Sequence, residues 1–192
     1  MWESWTKPSC GLAVPLGADQ NGSIISLNFS SSNTPHLLIG GTTGMGKSEA
    51  LNTILYGMTH YYSSKELSLI LVDPKGTELM GFENSPYLSG PIVCDDEGAI
   101  EVLGDAVGEM DHRYQLFTKE RVRLLKDYNL KVSHDLRLPW MVIVIDEYAD
   151  LTSDAGYKKE IEKHLKRLTQ KARAVGIHII IATQKPEARV IS

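Results

Sequence analysis

Apolar residues in this chain fall into two patterns: short unbroken runs, and longer stretches in which they recur every three or four positions. The runs at 36–39, 67–72, 140–145 and 177–182 have the length and the Leu, Ile and Val content of buried strands. Helical spacing appears over 48–62, where Leu51, Ile54, Leu55 and Met58 form one stripe. It returns from Ala99 onward, where Ile100, Leu103, Val107, Met110, Tyr114 and Phe117 step by three and four. A third stripe, Ile161, Leu165, Leu168 and Ala172, runs through 157–174. Gly104 and Gly108 weaken the second helix by roughly 1 kcal/mol each, which packing must offset. Residues 23–29 alternate well enough for a further strand, 86–91 read as loop, and Ile92-Val93 as a brief strand. Everything before Gly22 carries scattered Gly and Pro and reads as an extended leader. Buried strands alternating with amphipathic helices predict an α/β fold with a mostly parallel central sheet and helices on both faces. The chain divides accordingly into 1–35, a leader with one strand, and 36–192, the sheet-bearing core.

Composition narrows this picture. A chain of 192 residues with 42% hydrophobic content suits one domain that buries roughly 70% of its unfolded surface. Cys10 and Cys94 are too few for a disulfide framework and stand in no metal-ligand spacing, so both are expected to be packing residues in a reducing compartment. The longest apolar runs are of strand length and the first residues lack a basic, then apolar, signal pattern. The expectation is a cytoplasmic segment without membrane contact. A net charge of -4 excludes coating of nucleic acid by bulk electrostatics. Local charge differs: Lys158, Lys159, Lys163, Lys166, Arg167, Lys171 and Arg173 crowd one segment, with Glu160 and Glu162 as its acids. Two roles stay open for it, a solvated helix face or a surface turned to DNA or a neighbouring subunit.

Candidate chemistry enters between the first core strand and the first helix. Gly41-Thr42-Thr43-Gly44-Met45-Gly46-Lys47-Ser48 fills the phosphate-binding pattern G-x-x-x-x-G-K-[ST] at every fixed position. Backbone N–H groups can turn inward around a polyphosphate only where the chain takes unusual dihedrals, a freedom expected of Gly41, Gly44 and Gly46. The following helix aims its N-terminal dipole at the phosphates, Lys47 can reach the β and γ groups, and the Ser48 hydroxyl is placed for Mg²⁺. A second signal ends the strand 140–145: Asp146 would hold the metal through its water shell and Glu147 would polarise the attacking water. Thr183-Gln184 closes the last strand, where the Gln184 amide would hold that water or sense the γ-phosphate. The turn Asp73-Pro74-Lys75-Gly76 lies at another strand's carboxyl end, where functional side chains of open α/β sheets gather.

Several segments together resemble the motor domain of the FtsK/SpoIIIE DNA translocases. They are Pro35-His36-Leu37-Leu38-Ile39 leading into the phosphate loop, Asp73-Pro74-Lys75, Glu109-Met110-Asp111-His112-Arg113-Tyr114 and Val144-Ile145-Asp146-Glu147-Tyr148-Ala149-Asp150-Leu151. To these are added Gln170-Lys171-Ala172-Arg173-Ala174-Val175-Gly176-Ile177-His178 and Ala182-Thr183-Gln184-Lys185-Pro186. The resemblance implies a RecA-like P-loop ATPase that uses ATP and Mg²⁺ and works in a hexameric ring that pumps double-stranded DNA. It assigns Lys47 and Ser48 to phosphate and magnesium, Asp146 to the metal, Glu147 to water and Gln184 to nucleotide sensing. A cation donated across a subunit interface is also implied, with Arg173 as first candidate and Arg167 as second. The chain departs from the family at Met45, where serine is usual, at Gly76, and in a shorter stretch before Trp140. It also stops at Ser192, where the family continues with further strands, so the core is expected to be C-terminally incomplete and the isolated chain weakly active. Type VII secretion ATPases share the fold and similar motifs and form the alternative; Asp73-Pro74-Lys75 favours the DNA branch.

Overall fold

The computed structural model describes residues 4–42, 44–152 and 154–184. In chain order its elements are β1 (Ala13–Ala18), β2 (Ile24–Asn28), β3 (Leu37–Gly40), α1 (Lys47–Tyr61), β4 (Leu67–Val72), α2 (Asp96–Glu120), α3 (Leu125–Lys131), β5 (Trp140–Ile145), α4 (Tyr148–Leu151), α5 (Ala155–Lys171) and β6 (Ile177–Thr183). Four strands form a parallel sheet in the order β3-β6-β5-β4. Parallel neighbours need long crossovers, and helices supply them between successive strands.

Side-chain alternation assigns each face of the sheet to one core. Val142, Val144 and Ile180 face α1, where Leu51, Ile54, Leu55 and Met58 meet them together with Leu12, Val14 and Phe29. Ile143, Ile145, Ile179 and Ile181 face α2 and α5, which contribute Leu103, Val107, Met110, Ile161, Leu165 and Leu168. All seven residues of β6 are buried, as expected of a central strand covered on both faces. Beyond β4, residues 87–93 add a broken parallel strand: Leu69 N–H donates to Tyr87 C=O at 2.8 Å and Asp73 N–H to Val93 C=O at 2.8 Å.

Four sequence expectations are corrected. The leader holds two strands, because β1 pairs antiparallel with β2. Its Pro15 and Gly17 flank a register shift, where a missing N–H is tolerated, and so made a strand look irregular. Helix α2 starts at Asp96, before its apolar stripe, because the Asp95 carboxylate caps it by accepting from Gly98 N–H at 2.7 Å. Its buried face takes in Arg113, while Tyr114, read as part of the apolar stripe, is exposed. Cys10 and Cys94 are free and exposed, since both lie outside the helices and the sheet.

Arg113 is 1% exposed. Its guanidinium donates to Glu109 Oε1 at 2.7 Å, Pro139 C=O at 2.8 Å and Val175 C=O at 2.9 Å, tying α2 to the starts of β5 and β6. Gly176 turns the chain into β6 at a φ of 74°. A Cβ there would stand 2.2 Å from Leu125 Cδ2 and 3.0 Å from Trp140 Cε3, so only glycine fits.

Candidate functional site

In-register pairing sets the ends of the four strands in one row. Asp146 N–H donates to Val72 C=O at 2.9 Å, and Gly41 N–H donates to Thr183 C=O at 3.2 Å. The row therefore holds Asp73 after β4, Asp146 and Glu147 after β5, Thr183 and Gln184 at the end of β6, and Gly41 after β3. Strand β6 separates the phosphate-loop strand from the acid-pair strand, a span of about 10 Å. The Lys47 side chain crosses it, with Nζ 2.5 Å from Asp146 Oδ1 and 3.7 Å from Glu147 Oε2. All three side chains are buried, so the ion pairs form where water screens them little.

Gly44 and Gly46 take φ of 83° and 82°, and nothing lies within 4 Å of a Cβ built on either. Backbone conformation, not space, requires glycine at these two positions. Gly41 differs: its φ is not in the left-handed region, which corrects the expectation that it shares their freedom. Thr42 and Met45 are exposed, and Thr43 lies outside the described residues. Gly46 caps α1 without a side-chain hydrogen bond, so the helix start presents its N–H groups to an anion. Ser48, half-buried, stands in that first turn beside Lys47.

Burial pushes the Asp146 carboxyl above the ordinary aspartate range; the Lys47 ammonium opposes this, and the carboxylates of Asp73 and Glu78 add to it. Asp73 is fully buried and accepts from Gly76 N–H at 3.0 Å and from Glu78 and Leu79 N–H at 2.9 Å each. Its carboxylate thus fixes the whole loop after β4, and the loop extends Lys75 to Asp150 Oδ2 at 3.1 Å. Glu147 sits at φ 50°, a left-handed position unusual for a residue with a side chain. Its Oε1 accepts from Gln184 N–H at 3.0 Å and from Thr183 Oγ1 at 3.2 Å.

Not every predicted residue joins this cluster. Arg173 lies exposed in the short turn before β6, and β6 is seven residues long. That puts Arg173 about 20 Å from the strand end that carries Gln184. Arg167 is engaged on α5, its Nη2 donating to Asp111 Oδ2 at 2.7 Å. The basic segment is partly neutralised by its own acids, through Lys158 with Glu162 and Lys163 with Glu160. Three contributions escaped the sequence reading: the Thr183 hydroxyl's bond to Glu147, the Asp73 carboxylate as an anchor for its loop, and the Lys75–Asp150 pair. A polar side chain ending a buried strand next to the acid-pair strand is the signal that singles out Thr183.

A glycine-rich phosphate loop on an edge strand, an inserted strand, and an acid pair reached by the loop lysine define a P-loop nucleoside triphosphatase fold with a RecA-like core. The FtsK/SpoIIIE family model matches residues 1–188. The chain belongs to that family. A DNA translocase FtsK from Streptococcus pneumoniae is 40% identical over 201 residues, covering 100% of this chain and 26% of that protein. The pCW3 conjugation coupling protein TcpA, solved as a monomer with ATPγS, superposes with a TM-score of 0.81 at 26% identity, covering 99% of this chain and 52% of that one. The cytoplasmic domain of the type VII secretion ATPase EccC from Thermomonospora curvata gives 0.79 at 28% identity, over 94% of this chain and 22% of that one. This chain spans 20% to 26% of the length of the curated relatives it matches. Among the described residues no helix is long and apolar enough to cross a membrane.

Proposed function

We propose that this chain is the ATP-binding and ATP-hydrolysing module of a motor that moves double-stranded DNA as part of a cytoplasmic ring, hexameric by family resemblance. The observation that carries the reading is the buried Lys47–Asp146–Glu147 cluster beside the phosphate loop, at one end of a parallel sheet. The N–H groups at the start of α1 and the loop backbone hold the phosphates. The flexible stem of Lys47 lets its ammonium exchange a carboxylate partner for the β and γ phosphates. Ser48 and Asp146 offer the hydroxyl and carboxylate that suit Mg²⁺, an ion that takes few protein ligands and fills the rest with phosphate and water. When bound, Mg²⁺ neutralises charge that develops on the transferred phosphoryl group. Glu147 takes a proton from the attacking water, and Gln184 sits at the adjacent strand end to sense the nucleotide. Arg173, remote from the row in its own chain, is the cation for the site of a neighbouring copy. An isolated chain, lacking that neighbour, hydrolyses ATP weakly.

Identity of about 40% to a DNA translocase favours DNA as the polymer moved. The similarity to EccC supports a second reading, a module of a protein-secretion ATPase. ATP hydrolysis by the full-length protein, with and without double-stranded DNA and beside Lys47→Ala, separates the two. Hydrolysis that rises with DNA and falls by about a hundredfold or more in the variant supports the DNA motor. Lysine-dependent hydrolysis indifferent to DNA supports the secretion reading.

A further inference from the structure

Thr183 is bonded to both halves of the site. Its C=O accepts from Gly41 N–H, the first donor of the phosphate loop, at 3.2 Å, while its Oγ1 donates to Glu147 Oε1 at 3.2 Å. The residue is fully buried, and Glu147 is 3% exposed. Gln184 N–H adds contacts of 3.0 and 3.2 Å to the two carboxylate oxygens, and Lys47 Nζ lies 3.7 Å away. A carboxylate offers about four acceptor positions. Two donors of this chain hold Oε1, and an oxygen so occupied is poorly placed to accept a proton from water. Of the two donors at the end of β6, the backbone N–H is fixed by the strand. The hydroxyl can turn about a single side-chain bond.

We infer that Thr183 is a positioning residue that latches Glu147 to the end of β6 and passes movement of the phosphate loop on to it. The inference rests on the reading of Glu147 as the group that activates water. With DNA bound, displacement of Gly41 around the seated phosphates pulls on the Thr183 carbonyl, and the hydroxyl of the same residue then releases Glu147 Oε1; without DNA the latch stays closed. The left-handed backbone of Glu147, φ 50°, makes this a point where a small shift redirects the side chain. The link consists of two hydrogen bonds through one residue.

The test measures ATP hydrolysis by the full-length protein, with and without double-stranded DNA, and binding of a slowly hydrolysed ATP analogue. Thr183→Val removes the hydroxyl at nearly constant volume. It is expected to raise the DNA-free rate about tenfold and leave the DNA-stimulated rate within about twofold, the size expected from losing one hydrogen bond to a charged group. Thr183→Ser, which keeps the donor, is expected to restore the wild-type ratio of the two rates, and retained analogue binding shows that the valine variant folds. An unchanged ratio in Thr183→Val, or a parallel fall of both rates in the valine and serine variants, overturns the latch. Should the valine variant fail to bind the analogue, Thr183→Ala against Thr183→Ser decides: a ratio lost in alanine and kept in serine supports the latch, and equal ratios overturn it. Wild-type hydrolysis by Glu147→Gln instead overturns the reading on which the latch rests.

Discussion

The two ends of the central sheet both bury charged and polar side chains, but they partner them differently. At the carboxyl end Lys47, Asp146 and Glu147 face one another, so each has a side chain, free to move, as its partner. At the amino end Arg113 terminates on the backbone carbonyls of Pro139 and Val175 and on Glu109, and His178 donates from Nδ1 to Pro35 C=O at 2.9 Å. A backbone carbonyl just ahead of a strand cannot leave without moving the strand's start. Burial of charge therefore does not by itself mark a functional site. A cavity of about 710 Å³ lies at the amino end, between the N-terminal segment and α3, away from the phosphate loop.

The comparison breaks if substitutions at the two ends have the same kind of effect. At the carboxyl end, Glu147→Gln is expected to lower ATP hydrolysis by the full-length protein by about 10³-fold, within the range for loss of a general base. Analogue binding should persist, and a urea unfolding midpoint close to wild type would show that the loss is chemical. At the amino end, Arg113→Met should cost about 3 kcal/mol of stability, because it leaves two buried carbonyls without a donor. Urea titration measures this; the folded fraction should bind the analogue with unchanged affinity. A loss of nucleotide affinity with full stability would reverse the roles given to the two ends.

A gentler probe is pH. Burial pushes His178 down to about 3; nearby His36, Arg113 and Arg173 add to this, and the hydrogen bond to Pro35 opposes it. In the unfolded chain the same imidazole titrates near its ordinary value of 6.5. Between those limits the unfolded state binds more protons, so the contribution to stability, whole above 6.5, is lost as pH falls towards 3. The slope approaches about 1.4 kcal/mol per pH unit. His178→Gln keeps a donor for Pro35 and cannot titrate. The difference between the two proteins' stability curves, measured in urea from pH 7 to pH 4, should shrink as pH falls. A constant difference would mean that His178 is not held neutral.

The strands and the long helices were legible because each carries its own periodicity, two for a half-buried strand and about 3.6 for a helix. The phosphate loop and the acid pair were legible because their chemistry is written in consecutive residues. β1 was hidden by a proline and a glycine that mark a bulge, and α3 by its length of seven residues. Arg113 disrupts a helix's apolar stripe, and nothing local says that two strand-end carbonyls await it. The meeting of Gly41, Thr183 and Glu147 had no local trace either.

The sequence by itself determined which residues could do chemistry and that they sit at the ends of strands, because turns, glycines and patterning act over a few neighbours. Strand order and register were decided only by the tertiary structure. Placing β6 between β3 and β5 made Lys47 span the gap to Asp146, put Thr183 between the loop and Glu147, and sent Arg173 to the far end of the sheet. The reason is physical: pairing between parallel strands depends on which faces two separate sets of helices can cover, and that is a property of the whole packed chain.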